Sequence, residues 1–392
     1  MWNRTQNIIK SSKIFFLKNS IINYVLLLIF SVFKINNRKI IVINFWGKWY
    51  WGMGKYICKE LVKYDYKIFW AAKKEYVKSL PKGINYVEFG TIKYLYHLAT
   101  AKVWINNSRF WYGTRKRKDQ FYIQTWHGWI AMKKVESAAE NELSKEYVLS
   151  AKNDSKMANL FVSNSTYCTN RYKKYFWYNG DILEEWSPKN DIIINNSQWL
   201  INKIKNCLWI SKDCKICLYA PTFRAKNSLD VYNINYKNLI KALNNKFGGD
   251  WILLIRLHPN ISYLANQINI FSEKIINVTN YPDMQELLVI SDFLITDYSS
   301  CIFDFTLKWK PALIYASDVE EYKKDRDFEI KIEDTPFPIA TNNVELNDII
   351  QNYDINKYKN KLKIFYNKIG LKETGKSSQK IAKIINKITK VK

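Results

Sequence analysis

The sequence predicts an α/β protein with two Rossmann-like domains, each built on a parallel sheet. Its 392 residues are enough for two domains with full cores, and the 47% apolar share excludes intrinsic disorder. Short apolar runs alternate with helical segments after residue 39, which is typical of βαβ units. Glycine and proline are scarce, at 12 and 8 residues, which excludes collagen-like and linker-rich chains.

The first series of predicted strands begins at residue 39. The run Lys39–Phe45 is short and almost wholly apolar, which is typical of a parallel strand buried on both faces. Three glycines and a helical stretch over 55–64 follow it. The remaining strands of this series are predicted at 67–71, 102–106, 121–125 and 159–163.

A second series begins near residue 214. Its strands are predicted at 216–220, 251–257, 275–278, 293–296 and 312–315, with helices that include 236–246 and 284–290. The interval at 190–212 separates the two series. We therefore expect one domain over 39–195 and another over 196–371.

The two ends of the chain carry about half of the net charge of +26. The apolar run Ile21–Phe33 has 13 residues, whereas a spanning helix needs about 20. With lysines and arginines on both sides of that run, residues 1–38 are interpreted as an amphipathic segment on an anionic membrane surface. Packing on the protein's own core is the alternative. Residues 372–392 predict a second amphipathic basic helix, which either packs on the body or lies on the membrane.

Nucleic acid is the other partner that such a charge suggests. The basic cluster Arg115–Lys118 has Trp111, Trp126 and Trp129 near it, as in a stacking platform with a basic stripe. However, only nine of the 61 basic residues are arginines, and no nucleic-acid motif is present. We therefore predict no nucleic-acid partner.

The sequence does not require a metal or another cofactor. Only Cys214 and Cys217 have C-x-x-C spacing, and no second pair completes a zinc site. No carboxylate pair has obvious metal-ligand spacing. Mg²⁺ is left open.

Two histidines directly follow predicted strands. His127 lies in Gln-Thr-Trp-His-Gly at 124–128, and His258 lies in Arg-Leu-His-Pro at 256–259. Ligands of open α/β sheets bind at the carboxyl ends of strands. An imidazole there suits proton transfer, and an arginine suits an anion. A structural role is the alternative for each histidine.

Three further polar blocks lie near strand ends or the domain boundary. In Ile-Thr-Asp-Tyr-Ser-Ser at 295–300, a strand runs into the start of a helix, where hydroxyl and N–H groups can bind phosphate. A plain N-cap at Ser299 explains that pattern equally well. The other two blocks are Pro-Lys-Asn-Asp at 188–191 and Ala-Pro-Thr-Phe-Arg at 220–224.

In this order, the five blocks resemble the CDP-glycerol glycerophosphotransferase family of teichoic acid primases and polymerases. The resemblance spans roughly residues 40–370, with Lys189 where the family has arginine. It implies the GT-B fold, in which an acceptor domain (39–195) and a CDP-donor domain (196–371) face a central cleft. It also implies a peripheral enzyme on the cytoplasmic face of the cell membrane, making a teichoic-acid-like or capsular polymer.

The resemblance implies transfer of a glycerol phosphate unit from CDP-glycerol, or a related CDP-polyol, with release of CMP. The acceptor would be a hydroxyl of a polyprenyl-linked saccharide or of a glycerol-phosphate chain. The implied catalytic residues are His127, as the general base, and His258. The implied donor-binding residues are Lys189, Thr222, Arg224, Arg256, Pro259, Thr296, Asp297, Ser299, Ser300 and Asp304. The implied acceptor-side residues are Trp126, Gly128, Asn190 and Asp191.

A glycosyltransferase of the same fold that uses a nucleotide sugar is the alternative enzyme. In that case Asp304 or Glu320 would contact the donor's ribose or sugar. The nucleotide that is released from each donor separates the two hypotheses.

Overall fold

The computed structural model describes residues 19–130, 132–184, 187–224, 234–258, 261, 272–325 and 328–390. These residues divide into two compact units. The first unit contains the described residues up to Trp129, Val135–Asp191 and those from Lys372 onward. The second unit contains Ile130–Lys134 and Ile192–Leu371. The change of unit at Asp191 lies close to the predicted domain boundary, but the C-terminal segment returns to the first unit.

The first unit is built on a seven-stranded sheet. Its strands are β1 (Asn36–Ile43), β2 (Lys67–Ala72), β3 (Asn85–Glu88), β4 (Ala101–Asn106), β5 (Phe121–Gln124), β6 (Leu160–Ser163) and β7 (Asp181–Glu184). All neighbouring pairs are parallel, in the order β3-β2-β1-β4-β5-β6-β7. The parallel sheet that the sequence predicts is therefore confirmed in this unit.

The second unit is built on a six-stranded sheet. Its strands are β8 (Lys215–Tyr219), β9 (Trp251–Ile255), β10 (Ile275–Asn277), β11 (Phe293–Thr296), β12 (Ala312–Tyr315) and β13 (Ile339–Ala340). They are again all parallel, in the order β10-β9-β8-β11-β12-β13. The chain runs from β8 outward to β9 and β10, then returns to β11 on the other side of β8, which makes this an open, doubly wound sheet.

Helices connect the strands of both sheets. In the first unit these are α1 (19–30), α2 (Gly52–Leu61), α3 (Ile92–Thr100), α4 (Lys145–Met157) and α5 (Thr166–Tyr175). The helices that follow along the chain are α6 (Asp191–Asn195), α7 (Gln198–Cys207), α8 (Tyr236–Phe247), α9 (Met284–Ile290), α10 (Cys301–Phe305), α11 (Val319–Asp325), α12 (Asn343–Gln351), α13 (Ile355–Ile369) and α14 (Ser377–Thr389). The last of these, α14, belongs to the first unit. None of the helices in the described ranges is long and apolar enough to cross a bilayer.

The apolar side chains of β1 pack into the core on both faces of the first sheet. Ile40 and Val42 point into one core cluster, and Ile41 and Ile43 point into the other. Successive side chains of a strand alternate between faces, so a strand that is covered on both sides must be apolar throughout. This explains why the run lacks the polar alternation of a half-exposed strand.

The C-terminal helix α14 packs on the first unit. Ile381, Ala382 and Ile385 are buried in the same core cluster as Ile57 of α2. The sequence left open whether this helix packs on the body of the protein or lies on the membrane. In the structure its apolar side packs on the body. Its lysines lie on the opposite, outer side.

Helix α1 uses one side for packing and leaves another apolar side open. Leu27 is buried in the second core cluster, with only 4% of its surface exposed. Ile21 and Ile29 of α1, and Val32 just after the helix, are exposed by 62%, 54% and 79%. The segment therefore combines core packing with an exposed apolar stripe. Residues 1–18 of the predicted amphipathic segment lie outside the described residues.

Candidate active site

His127 lies in the loop after β5, where the carboxyl ends of β4 and β5 meet. Its Nδ1 atom lies 2.8 Å from the backbone oxygen of Asn107, the residue that follows β4. A carbonyl oxygen only accepts hydrogen bonds, so Nδ1 carries the hydrogen and Nε2 keeps its lone pair. This is the tautomer that a general base needs.

Trp126 holds the imidazole from one side. Its ring stacks on His127 with centroids 4.3 Å apart, and its own backbone is in the left-handed region at φ 52°. The backbone N–H of Trp126 donates to the side-chain oxygen of Gln124 at 2.9 Å. The Arg109 guanidinium lies 5.3 Å from the centre of the indole. Trp126 therefore fixes the histidine ring, and half-buried Gly128 continues the loop.

A buried ionic network lies beneath this loop, and no local sequence pattern predicts it. Arg109 donates to Asp154 at 2.9 Å and to Glu136 at 2.8 Å. The hydroxyl of Tyr122 donates to Asp154 at 2.8 Å, and the Gln124 amide donates to the same carboxylate at 3.2 Å. Because Gln124 and Arg109 also contact Trp126, the network supports the position of the loop.

The surroundings of His127 favour its neutral form. The pKa of His127 is lowered to about 4, mainly by burial and to a smaller extent by the positive charges of Lys189, Arg109 and Arg171. The hydrogen bond to Asn107 acts in the opposite direction. The imidazole is therefore unprotonated near neutral pH, and the potential around it is positive.

This environment predicts an unusual pH dependence. A base is active when it is unprotonated, so kcat/KM should stay constant from about pH 8 down to about pH 5.5. It should then fall about tenfold per pH unit below the pKa of His127, which lies at about 4. The measurement is a pH–rate profile at subsaturating acceptor. A fall centred near the ordinary histidine value of about 6.5 would contradict the described environment.

The residues of the block at 188–191 make two kinds of contact, one with the His127 loop and one with the C-terminal segment. The ammonium of Lys189 lies 3.5 Å from the backbone oxygen of His127, so this residue lies beside the His127 loop and belongs to the first unit. The Asp191 carboxylate accepts from the backbone N–H groups of Ser377 and Ser378, at 3.0 and 2.8 Å. The Asn190 amide donates to Glu373 at 3.1 Å.

These contacts give Asn190 and Asp191, which the resemblance assigned to the acceptor side, a structural role in the first unit. Both are buried, and their bonds hold the returning C-terminal segment and the start of α14. An aspartate at a helix start accepts N–H groups that have no partner inside the helix. The two side chains therefore anchor the chain's return to the first unit.

In the second unit, Asp297 joins the loops that follow β8 and β11. Its carboxylate accepts from the Thr222 N–H at 2.9 Å and pairs with Arg224 at 2.9 Å. Arg224 also forms a two-pronged pair with Asp318, at 2.5 and 3.0 Å. Burial by itself would lower the pKa of Arg224, but the two carboxylates raise it. The guanidinium that the resemblance assigned to the donor is thus already shared by two acids.

Two tyrosines sandwich Arg224, and sequence reasoning had not singled them out. Its guanidinium carbon lies 4.8 Å from the ring centre of Tyr298 and 4.9 Å from that of Tyr322. The Tyr298 hydroxyl donates to Asp318 at 3.0 Å. Asp318, Tyr298 and Tyr322 therefore hold the Arg224 guanidinium in place.

Arg256 and His258 follow β9 in the same unit. Arg256 donates to the backbone oxygen of Tyr281 at 2.7 Å. Burial lowers the pKa of His258, as do the charges of Lys133 and Arg256, whereas Asp297 opposes this shift. Neutral His258 thus lies in a positive environment. Pro259 lies outside the described residues.

The remaining predicted donor residues differ in their access to solvent. Ser299 and Ser300, at the start of α10, are partly exposed, and the Ser299 hydroxyl accepts from the Cys301 N–H at 3.4 Å. Thr296 is buried, and its hydroxyl donates to the Ala220 carbonyl at 2.6 Å. Asp304 is also buried and accepts from Gln285 at 3.0 Å. Thr296 and Asp304 therefore make hydrogen bonds within the second unit, and their assignment to the donor stays a prediction.

In the part of the chain that the structure describes, no three His, Cys, Asp or Glu side chains gather in a group that could hold a metal ion.

A profile of the family described as "CDP-Glycerol:Poly(glycerophosphate) glycerophosphotransferase" matches residues 25–387. A teichoic acid glycerol-phosphate transferase of Staphylococcus aureus is 30% identical over 393 residues, covering 95% of this chain and 100% of the relative. A teichoic acid poly(glycerol phosphate) polymerase of Staphylococcus epidermidis is also 30% identical, over 90% of this chain. The alignment spans only 51% of that relative's length.

Solved structures agree with this match. The wall teichoic acid polymerase TagF superposes with a TM-score of 0.81 and 27% identity, over 100% of this chain and 99% of that chain. A further TagF structure was obtained after soaking with CDPG. The fold, the ordered sequence blocks and the profile match together show that the chain belongs to the CDP-glycerol:poly(glycerophosphate) glycerophosphotransferase family.

Proposed function

We propose that this protein transfers a glycerol phosphate unit from CDP-glycerol to a hydroxyl of a membrane-linked acceptor and releases CMP. The observation that carries the proposal is His127, held neutral with Nδ1–H bonded to Asn107 and Nε2 able to take a proton. The product would contribute to a teichoic-acid-like surface polymer. Family membership and the names of the relatives support this choice of donor.

The reaction forms one bond to phosphorus and breaks another. The acceptor oxygen attacks the β-phosphorus of CDP-glycerol, and the phosphoanhydride bond to the α-phosphate breaks, so that CMP leaves. His127 takes the proton of the acceptor hydroxyl through Nε2. The positive charges of Lys189 and Arg171 favour the approach of anionic groups.

Donor binding is assigned to the second unit. The hydroxyl groups of Ser299 and Ser300, with the N–H groups at the start of α10, would hold a phosphate. His258 and Arg256 would add donors for the diphosphate. Arg224 would act with Asp297 and Asp318 as a rigid wall of the donor site, because its charge is already shared.

A panel of donors tests this proposal. With a lipid-linked acceptor, we expect CMP release from CDP-glycerol that depends on the acceptor, and no release of UDP or GDP from nucleotide sugars. CDP-ribitol tests how strictly the polyol is recognised. Release of a sugar-linked nucleotide without any turnover of CDP-polyols would replace the proposal with the glycosyltransferase alternative.

The membrane surface is assigned to α1 and the loop beside it. Arg115 donates to the Tyr24 hydroxyl at 2.7 Å, and Arg117 donates to the Phe33 carbonyl at 2.7 Å. The basic cluster Arg115–Lys118 thus lies next to the exposed apolar stripe of Ile21, Ile29 and Val32. Apolar side chains beside basic ones suit the surface of an anionic bilayer. The GT-B arrangement and a location on the cytoplasmic face stay predictions.

Vesicle flotation tests the membrane surface. Each basic residue near an anionic bilayer contributes about 1 kcal/mol, so the double variant Arg115→Gln with Lys118→Gln should bind phosphatidylglycerol vesicles at least about tenfold more weakly. The double variant Lys359→Gln with Lys363→Gln, on exposed positions of α13, removes the same charge elsewhere. Equal losses in the two double variants would show a nonspecific charge effect and contradict the assignment.

A further inference from the structure

The loop between β1 and α2 is rich in aromatic residues and lies beside His127. It contains Phe45, Trp46, Trp49, Tyr50 and Trp51. The loop lies at the carboxyl end of β1, the edge of an open α/β sheet where ligands bind. None of the roles assigned so far uses these side chains.

The backbone of this loop is strained. Phe45, Trp46 and Trp49 have φ angles of 41°, 54° and 44°, in the left-handed region that disfavours side chains. The Phe45 N–H donates to the Asn107 side chain at 2.9 Å, which fixes the start of the loop. The Asn44 amide lies 3.3 and 3.4 Å from the carbonyl oxygens of Lys48 and Trp49. Strain that the surroundings maintain in this way is concentrated at functional sites.

Two of the five rings are structural. Tyr50 packs on Trp70 of the core, with ring centres 4.7 Å apart. The Trp46 indole donates to the Arg109 carbonyl at 2.9 Å. These two contacts anchor the loop to the sheet.

The other three rings, Phe45, Trp49 and Trp51, form a continuous, half-buried surface that we call the aromatic platform. Phe45 and Trp51 stack with centres 5.0 Å apart and planes within 19°. Trp49 meets Trp51 at 5.9 Å. These rings lie against each other at the sheet edge rather than inside a core cluster.

The platform and His127 share one support. The Phe45 ring centre lies 5.0 Å from that of the imidazole. Asn107 holds both partners, because its side-chain oxygen accepts from Phe45 and its backbone oxygen accepts from His127. A molecule that brings a hydroxyl to Nε2 therefore comes close to the platform.

We propose that the aromatic platform binds a sugar ring of the acceptor beside His127. This inference rests on the proposed function, in which His127 activates the acceptor hydroxyl. It assigns acceptor recognition to residues 45–51, in place of Asn190 and Asp191.

The polar neighbours favour a sugar over a hydrocarbon chain. The platform is flanked by Lys48, whose ammonium lies 5.5 Å from the Trp49 ring centre, and by the imidazole of His127. A sugar ring presents C–H groups from one face and hydroxyl groups from its edge, so it can satisfy the rings and the polar groups together. A prenyl chain would remove those polar groups from water without replacing their hydrogen bonds, which is costly.

Two acceptors on the same short prenyl diphosphate test the proposal. In one the reacting hydroxyl lies on a hexopyranose, and in the other it lies on a glycerol phosphate. For Trp51→Ala we expect the KM of the pyranose acceptor to rise about tenfold, whereas the KM values of the other acceptor and of CDP-glycerol stay within about twofold. Trp51→Phe should retain most of the wild-type affinity. Trp209→Ala, at a position 96% exposed in the second unit, is the matched control.

Equal losses on both acceptors, or no loss on either, would overturn the proposal. Trp49→Ala provides a second test if Trp51→Ala does not fold. Equilibrium binding of the pyranose acceptor without donor separates this inference from the proposed function. In that assay the wild type should bind about tenfold more tightly than Trp51→Ala, whether or not CMP is ever released. Equal binding would exclude the platform as the sugar site.

Discussion

Replacing His127 by alanine is expected to slow transfer from CDP-glycerol about 10²–10⁴-fold, the usual contribution of a positioned general base. Binding of CDP-glycerol should stay within a few-fold of the wild type, because the donor is assigned to the second unit. The measurement combines the rate of CMP release with donor affinity from calorimetry. This variant tests the role that the hydrogen bond to Asn107 and the lowered pKa indicate.

A second buried histidine of the first unit provides the control. His97 stacks on Phe69 with ring centres 4.0 Å apart and has no assigned role in transfer. His97→Gln should lower stability but keep the rate per folded molecule. If His127→Ala lost donor affinity in proportion to its rate, the role as base would be wrong.

Replacing Arg109 by methionine is expected to lower the free energy of unfolding by about 3–5 kcal/mol, because it leaves two buried carboxylates without their counter-charge. The side chains of Arg109, Glu136 and Asp154 are 2%, 1% and 0% exposed. Burial already raises the pKa of Asp154, and Arg109 opposes that shift. Urea unfolding followed by circular dichroism measures the effect.

An exposed ion pair of the same unit is the matched control. Arg38 pairs with Asp65 at a site where the two side chains are 59% and 71% exposed. Arg38→Met should therefore cost only about 0–1 kcal/mol. If the two methionine variants lost similar stability, the buried network would not be the support that its geometry indicates.

The sequence predicted the buried strands well and the edge strands poorly. The apolar runs at 251–257 and 293–296 are found as β9 and β11, whose residues are all buried. The strands β3, β7 and β13 were missed. Residues of β7 are exposed or half-buried, so this strand has no apolar run that a pattern could detect. Its position is set by pairing with β6.

A similar distinction applies to the residues of the candidate site. Residues in local sequence blocks could be predicted, whereas residues that meet only through the fold could not. His127 and Lys189 could be located because they belong to local blocks, and the structure brings them together. The Arg109 network could not be predicted, because its partners Asp154 and Glu136 are distant in sequence and become neighbours only through the sheet.

Two local details lay beyond the reach of sequence patterns. The hydrogen bonds of Asp191 could not be predicted, because its partners Ser377 and Ser378 lie 186 and 187 residues further along the chain. The sequence pattern places Phe45 at the end of a strand, because an aromatic residue extends the apolar run. Strand β1 ends at Ile43, and the left-handed backbone of Phe45 begins the loop instead.

The fate of the β-phosphorus tests the central claim most directly. CDP-glycerol labelled at that atom should be incubated with the protein and a lipid-linked acceptor, and the label followed in both products. Attack on the β-phosphorus predicts that all of the label enters the acceptor and that the released nucleotide is unlabelled CMP. Label in released CDP, with glycerol alone transferred, would contradict glycerol phosphate transfer.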